Sequence, residues 1–360
     1  MEKIKIIVTG AGGAASIGFC RSLNDSDTDY EIIGLDRDRY HLSLARANHR
    51  YLVPGIDSPD YINVLNYISN KHHADFLHCQ PDLEIEFLSA HRKDINVKTN
   101  LPSQETIDIC INKWKSYKKW KSADVKVPLT VLIENKENLL NAFVEEDLGP
   151  TIWLRNIKGA GGKGSLPTSD KDEACAWLDF CNGYGSFTAA KRLSDRTVTW
   201  SSIWDNGKLV IAQARERLYW EYSNNSPSKV TGLTGTGFTI DDKMVTDVAL
   251  SSIWAIDSKP HGIFSVDMVY DFNGIPNPTE INIGRFFTTH YFFTCAGINF
   301  PDIFVRTSLG MPVTLPPKRI NPIPKGLAWV RGMDVEPVLC SMSKFGEYEN
   351  KLSDMITQIG

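Results

Sequence analysis

The chain lacks the features that define several large protein classes. No apolar run approaches the ~20 residues needed to cross a bilayer, so no membrane-spanning helix is expected. The opening stretch from Met1 to Val8 breaks into glycines too early for a signal peptide, and a cytoplasmic protein is the expectation. Seven cysteines, at positions 20, 79, 110, 175, 181, 295 and 340, are odd in number and scattered, with no Cys-x-x-Cys. That spacing excludes a disulfide scaffold and a common zinc knuckle. The eight histidines contain no His-x-x-x-His pair, and His72-His73 lie in a polar stretch where solvation is expected rather than metal binding. A basic excess is missing too: the formal net charge is −4, opposite to what neutralising nucleic-acid phosphates requires. There is no internal repeat and no low-complexity tract.

What remains is the composition of a globular protein, 42% hydrophobic and 23% charged, and 360 residues are enough for two or three lobes. Over the first hundred residues, short apolar runs at 4–9, 31–35, 51–53 and 76–79 alternate with amphipathic stretches. This βαβα rhythm predicts a parallel sheet covered on both faces. Residues 104–122 predict one helix rich in Lys and Trp. Short strands follow, with a glycine-rich loop at 159–164 and a helix over 171–182. Residues 198–240 alternate as an antiparallel sheet interrupted by the polar run 222–229, expected to be a mobile loop. A helix near 242–257 and strands at 262–270 and 278–283 complete the expected core. Prolines 312, 316, 317, 322 and 324 suggest an extended wrap leading to a small C-terminal piece.

Two glycine loops compete for a nucleotide. The first, Gly10-Ala11-Gly12-Gly13 with Gly18 beyond, follows a strand and opens a helix, the place where a backbone can approach a phosphate. Asp36 ends the next strand and could accept from a ribose hydroxyl; Tyr117, Lys121 and Ser103 complete a resemblance to short-chain dehydrogenases. An NAD-dependent oxidoreductase therefore stays open as an alternative. Against it, Ala15 holds the third glycine position, and the second half of the chain is left without a purpose.

The second loop, Gly159-Ala160-Gly161-Gly162-Lys163-Gly164, follows a strand carrying Arg155. Its amides can fold over a polyphosphate with the cation beside them. Further on, Asp267 and Glu280 lie on two apolar strands joined by a turn at 271–274, which would set them side by side. Asn282 is two residues after Glu280 and projects from the same face. Two carboxylates and an amide oxygen are hard donors suited to Mg2+ bridged by phosphates.

In this order the glycine loop, spacer and Glu-Ile-Asn strand resemble the ATP-grasp superfamily, closest to single units of carbamoyl-phosphate synthase large chains and carboxylate–amine ligases. Asn112-Lys113-Trp114-Lys115 and Val127-Pro128-Leu129-Thr130 resemble the family's Asp-Lys helix and its entry to the mobile lobe. The resemblance implies an α/β Rossmann-like lobe at 1–107, a two-lobed ATP-grasp domain of α+β type at 108–325 with its lid near 128–193, and a C-terminal segment at 326–360. It implies that Lys113, Arg155 and the loop glycines Gly159, Gly161, Gly162 and Gly164, with Lys163, contact ATP phosphates. Lys191-Arg192-Leu193 would meet adenine, and Asp267, Glu280 and Asn282 would hold Mg2+, or Mn2+ in its place. Arg285 and Arg217 would act at the reaction centre. The family usually has a glutamate where Lys191 stands, and a glycine and a ribose-binding glutamate where Asp195 and Thr197 fall. Arg285 lies five residues after Glu280, against four in the common pattern. The implied activity is ATP-dependent joining of a small-molecule carboxylate to an amine through an acyl-phosphate, with no nucleic-acid or membrane partner and with a homodimer compatible. A catalytically silent nucleotide-binding module is the further alternative. Residues 80–84 and 285–291 are the segments expected near the substrates.

Overall fold

The computed structural model describes residues 3–144, 148–159, 161–162, 164–332 and 338–343. The first lobe runs β1 (Ile4–Thr9), α1 (Ala14–Asn24), β2 (Tyr30–Asp36), α2 (Arg39–Leu44), β3 (His49–Leu52), α3 (Tyr61–His72), β4 (Phe76–His78) and α4 (Asp82–Ala90). Its four strands are parallel in the order β3-β2-β1-β4. The apolar runs of β1 and β2 are buried, as strands covered on both faces must be. The edge strand β3 lies two residues earlier than hydrophobicity alone predicts, because pairing with β2 begins at Ile33 opposite His49. His72 also departs from expectation. The last turn of α3 turns its ring inward, so the side chain is only 10% exposed and its Nε2 meets the Tyr51 hydroxyl at 2.8 Å.

The helix expected over 104–122 is two helices, α5 (Gln104–Cys110) and α6 (Lys113–Ser122). Asn112 breaks it. Its backbone is extended and its side chain accepts from the Lys115 amide, capping α6. Lys113 thereby becomes the first residue of a helix, with its amide hydrogen-bonded to Ile157 O in the next lobe at 2.8 Å.

That lobe holds β5 (Thr130–Ile133), α7 (Lys136–Ala142), β6 (Ile152–Asn156), β7 (Leu166–Thr168), α8 (Lys171–Cys181) and β8 (Phe187–Lys191). It forms an antiparallel sheet in the order β5-β8-β6-β7 with its own small core around Leu154, Leu178 and Phe187.

The largest sheet is built from β9 (Thr197–Asp205), β10 (Lys208–Arg217), β11 (Thr236–Ile240), β12 (Gly262–Tyr270), β13 (Pro276–Ile283), β14 (Leu327–Val330) and β15 (Val338–Ser341). Helix α9 (Lys243–Trp254) precedes β12, while α10 (Tyr291–Cys295) and α11 (Phe300–Leu309) follow β13. The strand order is β13-β12-β9-β10-β11-β14-β15, so residues 327–330 and 338–341 extend this same sheet.

Alternation gives the sheet two unlike faces. Val198, Trp200, Val266, Met268 and Ile281 are buried in one core with Ile107, Trp120, Val245 and Ile253 of α5, α6 and α9. On the opposite face, register aligns Arg215, Thr199, Asp267 and Glu280 in one cross-strand row. Gln213, Ser201, Ser265 and Asn282 form the row beside it. Polar side chains in the middle of buried strands are costly unless they are paired or used.

Candidate active site

The polar face meets the C-terminal ends of β1 and β4 and the tip of the small antiparallel lobe. Between them lie a cavity of about 380 Å³ and a neighbouring one of about 620 Å³. Glu280, Asn282, Arg285 and Asp82 line both, so the two form one cleft divided by the end of β13.

Asp267 and Glu280 are directly opposed in the β12–β13 ladder. Thr279 is the extra residue of a bulge beside that pair. The bulge turns the Thr279 carbonyl outward, and Arg155 of β6 donates to it from Nη2 at 3.0 Å, joining the small lobe to the polar face. Arg155 Nε is buried with no acceptor among the described residues. Burial holds the Arg155 guanidinium below its usual pKa, opposed by the charge of Glu280. Lys113 Nζ lies 3.1 Å from Glu280 Oε2 and donates to Gly159 O at 2.6 Å, tying metal-type carboxylate to glycine loop. Burial raises the Glu280 pKa, but Lys113, Arg155 and Arg285 overcome it and hold the carboxyl below the usual range.

Asp267 accepts from Arg217 Nη2 at 2.6 Å, from Asn282 Nδ2 at 3.0 Å and from the Thr199 hydroxyl. Arg285 donates through Nη2 to Asn282 Oδ1 at 2.6 Å and to Asp82 Oδ2 at 3.0 Å, with its Nε also on Asp82. The residue inserted before Arg285 is Gly284, whose φ of +71° belongs to the left-handed region. That turn brings the arginine back to Asn282 despite its longer spacing. Asp267, Glu280 and Asn282 thus converge on one face, each already matched to a cation or amide of this chain. The donor set fits a hard divalent cation, which would displace those partners.

The loops around the cleft are unlike one another. In the second glycine loop, Gly159, Gly161, Gly162 and Gly164 all have positive φ, and their amides donate no hydrogen bond among the described residues. Lys163 lies outside the described residues. A methyl group at Gly162 would overlap the carbonyl oxygen of Val230, so this loop rests backbone to backbone on segment 230–232. In the first loop, Ala11 N donates to Leu35 O, Gly12 N to Asp36 Oδ2 and Gly13 N to Gly10 O, at 2.9 to 3.0 Å. Asp36 is buried in that task and is not placed as a free acceptor for a ribose. Tyr117 and Ser103 are likewise structural: the Tyr117 hydroxyl accepts from Thr130 N, and Ser103 caps α5.

Lys191, Arg192 and Leu193 join β8 to β9, outside the residues lining the two cavities. Asp195 is almost fully exposed and pairs with Arg192 at 3.5 Å. Of the segments expected near substrates, Gln80, Pro81, Asp82, Phe287 and Thr288 line the smaller cavity.

Arg215 was not singled out by motif, and the structure gives it the most unusual surroundings of the cleft. It is 2% exposed, lines the smaller cavity and lies over the Phe287 ring at 4.4 Å. Its Nε and Nη1 have no acceptor among the described residues. Burial, with Arg217 beside it, depresses its pKa strongly, opposed by Asp267. The signal in the sequence was the alternation Gln213-x-Arg215-x-Arg217 inside an otherwise apolar strand.

Comparisons with known proteins agree with this architecture. Residues 6–100 match the family model described as PylC-like, N-terminal domain. No curated protein is a significant match in sequence. Among solved structures, biotin carboxylase from Campylobacter jejuni aligns with a TM-score of 0.69 at 17% identity, over 91% of this chain and 75% of that one. N5-carboxyaminoimidazole synthetase from Staphylococcus aureus gives 0.65 at 15%, over 87% and 79%. An L-amino acid ligase from Bacillus licheniformis gives 0.65 at 11%, over 91% and 79%.

Proposed function

The chain has the ATP-grasp fold behind a PylC-like N-terminal domain, and from that premise we propose that it is an ATP-dependent carboxylate–amine ligase. The observation that carries the proposal is the convergence of Asp267, Glu280 and Asn282 with Lys113, Arg155 and a glycine loop whose glycine amides have no acceptor among the described residues. Such a set serves a reaction in which negative charge moves between phosphate oxygens and a carboxylate.

A substrate carboxylate oxygen attacks the γ-phosphorus of ATP, ADP leaves, and an acyl-phosphate forms. The amine nitrogen then attacks the acyl carbon, inorganic phosphate leaves, and the amine proton goes to solvent or phosphate. Lys113 and Arg155 hold the phosphates, and the loop amides of residues 159–164 enclose them. Asp267, Glu280 and Asn282 would hold Mg2+, which neutralises the phosphoryl oxygens when bound. Arg285, fixed between Asp82 and Asn282, steadies the transferred group. Arg217 orients Asp267, and Arg215 receives the carboxylate of a substrate in the smaller cavity. Contact of segment 230–232 with Gly161 and Gly162 shields the acyl-phosphate from water. By the family resemblance, the backbone of Lys191, Arg192 and Leu193 would meet adenine where β8 passes to β9, beyond the two cavities.

The test supplies the chain with Mg-ATP and pooled carboxylates and amines, following ADP and phosphate and identifying products by mass spectrometry. ADP release that needs both a carboxylate and an amine is the expected result. ATP binding without turnover across the pools would favour the silent module, and NAD binding without ATP binding would favour the oxidoreductase.

A further inference from the structure

Away from the cleft, the edge of the first sheet carries a second group of side chains that the ligase reading does not use. Glu31 of β2 faces the same side as Ile33, whose register partner is His49 of β3. His72 ends α3 against that side. His49 Nε2 lies 3.0 Å and His72 Nδ1 3.9 Å from the same Glu31 oxygen, Oε1. All three donor atoms fall within 4.8 Å of one another, and the two imidazole centroids are 4.6 Å apart. None of the three residues lines either cavity of the cleft.

We propose that Glu31, His49 and His72 form a binding site for one first-row divalent transition-metal ion of the Zn2+ type, separate from the nucleotide cleft. Two imidazoles and one carboxylate are a donor set that such ions accept, with the remaining position open to water. Donors bonded to zinc at ~2.0–2.2 Å stand roughly 3.3–3.5 Å apart in a tetrahedron, so closure onto the ion needs side-chain shifts of about an ångström or less.

Two further features favour a cation here. The second nitrogen of His72 is held by the Tyr51 hydroxyl at 2.8 Å, the outer contact that commonly orients a ligating imidazole. His72 lies at the C-terminal end of a twelve-residue helix, where the backbone dipole is negative. The ion would also have a structural use. Strand β3 has four residues, three of them exposed, and a metal would join it to β2 and α3 at one point.

The experiment uses the full chain without an affinity tag, stripped with chelator and held in excess Mg2+ so that the cleft carboxylates do not compete. Zn2+ is titrated calorimetrically, and bound metal is counted after dialysis. One zinc per chain is expected, with affinity reduced at least tenfold in His49→Ala, an exposed position where folding is safe, and unchanged in Glu280→Gln. Thermal unfolding should shift upward with Zn2+ in the parent and not in His49→Ala. X-ray absorption at the zinc edge of the parent protein should show two imidazoles and oxygen donors, which makes the conclusion independent of any variant. Absence of stoichiometric zinc, parent-like affinity in His49→Ala, or sulfur donors at the zinc edge would each overturn the assignment.

Discussion

Residues 10–13 and 159–164 both follow a strand that ends at the cleft, and both are rich in glycine, yet their backbones are in opposite situations. In the first loop every amide from Ala11 to Gly13 already has an acceptor within the protein. A methyl at Gly12 would overlap the His41 carbonyl, and one at Gly10 would stand 2.6 Å from Pro81. Those glycines exist to let α2 and the β4–α4 turn pack closely. In the second loop the amides are unanswered among the described residues, while Lys113 and Arg155 gather beside it. Glycine content is the same signal in both loops. What separates them is whether the described chain supplies acceptors for the loop amides.

If the second loop and its neighbours carry the chemistry, the largest loss comes from the carboxylate joined to that loop through Lys113. Glu280→Gln removes a metal-binding charge and should lower turnover by ~10³-fold or more. Circular dichroism and the thermal midpoint should stay near those of the parent. Near-normal turnover in the folded variant would remove Glu280 from the site. Arg155→Ala comes next. It removes a partly buried cation beside the phosphates, and a fall of ~10²-fold in kcat/KM is expected. An ATP titration and rate matching the parent would make Arg155 a structural tie between β6 and the Thr279 bulge.

The pairing of Asp267 with Glu280 was legible because two short apolar strands and one turn leave little freedom of register, and the structure places them directly opposite. The parallel sheet of the first lobe followed from its βαβα rhythm for a similar local reason. Arg215 was less legible: Thr199 faces it across the β9–β10 hairpin, but Asp267 joins their row from β12, a strand distant in sequence. The Glu31, His49 and His72 group was hidden for the same reason: three separate elements contribute one residue each. The break at Asn112 could have been anticipated, because Asn before a lysine-rich run is a capping signal that the helical pattern on both sides obscures. Contacts made within one hairpin or one turn show in the sequence; contacts made by sheet closure do not.

A pair of glycine substitutions tests the contrast with smaller effects. Gly12→Ala forces a methyl against backbone that cannot move cheaply, and about 1–3 kcal/mol of stability should be lost, visible as a thermal midpoint several degrees lower. Turnover per folded molecule should be nearly unchanged. Gly159→Ala meets nothing within 4 Å but is strained at a φ of +114°; this exposed loop can relax to relieve the strain, so the midpoint should hold while the loop conformation seen here becomes costlier to adopt. About a tenfold rise in the KM for ATP is expected there, of the order of the 1–2 kcal/mol strain. The opposite assignment, with ATP affinity falling in Gly12→Ala and stability falling in Gly159→Ala, would reverse the roles of the loops.

The smallest effect concerns the floor of the first loop. Glu84 of α4 lines the larger cavity, and its Oε2 is buried without a partner among the described residues. Burial pushes its pKa up to about 7, opposed by the Thr9 hydroxyl and reinforced by Asp36. The folded state therefore keeps this proton to near neutrality, whereas an unfolded chain releases it near pH ~4.3. Stability from the protonated form is complete below the unfolded value and is lost as pH rises through about 7. Glu84→Gln mimics the protonated group, so it should match the parent near pH 4 and exceed it at pH 8. A gain of about 1–3 kcal/mol is expected at the higher pH, the upper end applying only if solvent does not relieve the charge. Paired thermal scans across that range would show the two curves separating as the parent ionises. Should Glu84→Gln instead lose turnover at every pH while its midpoint stays level with the parent, the carboxyl would be acting on a ligand. The first loop would then belong to the chemistry and not only to the packing that surrounds it.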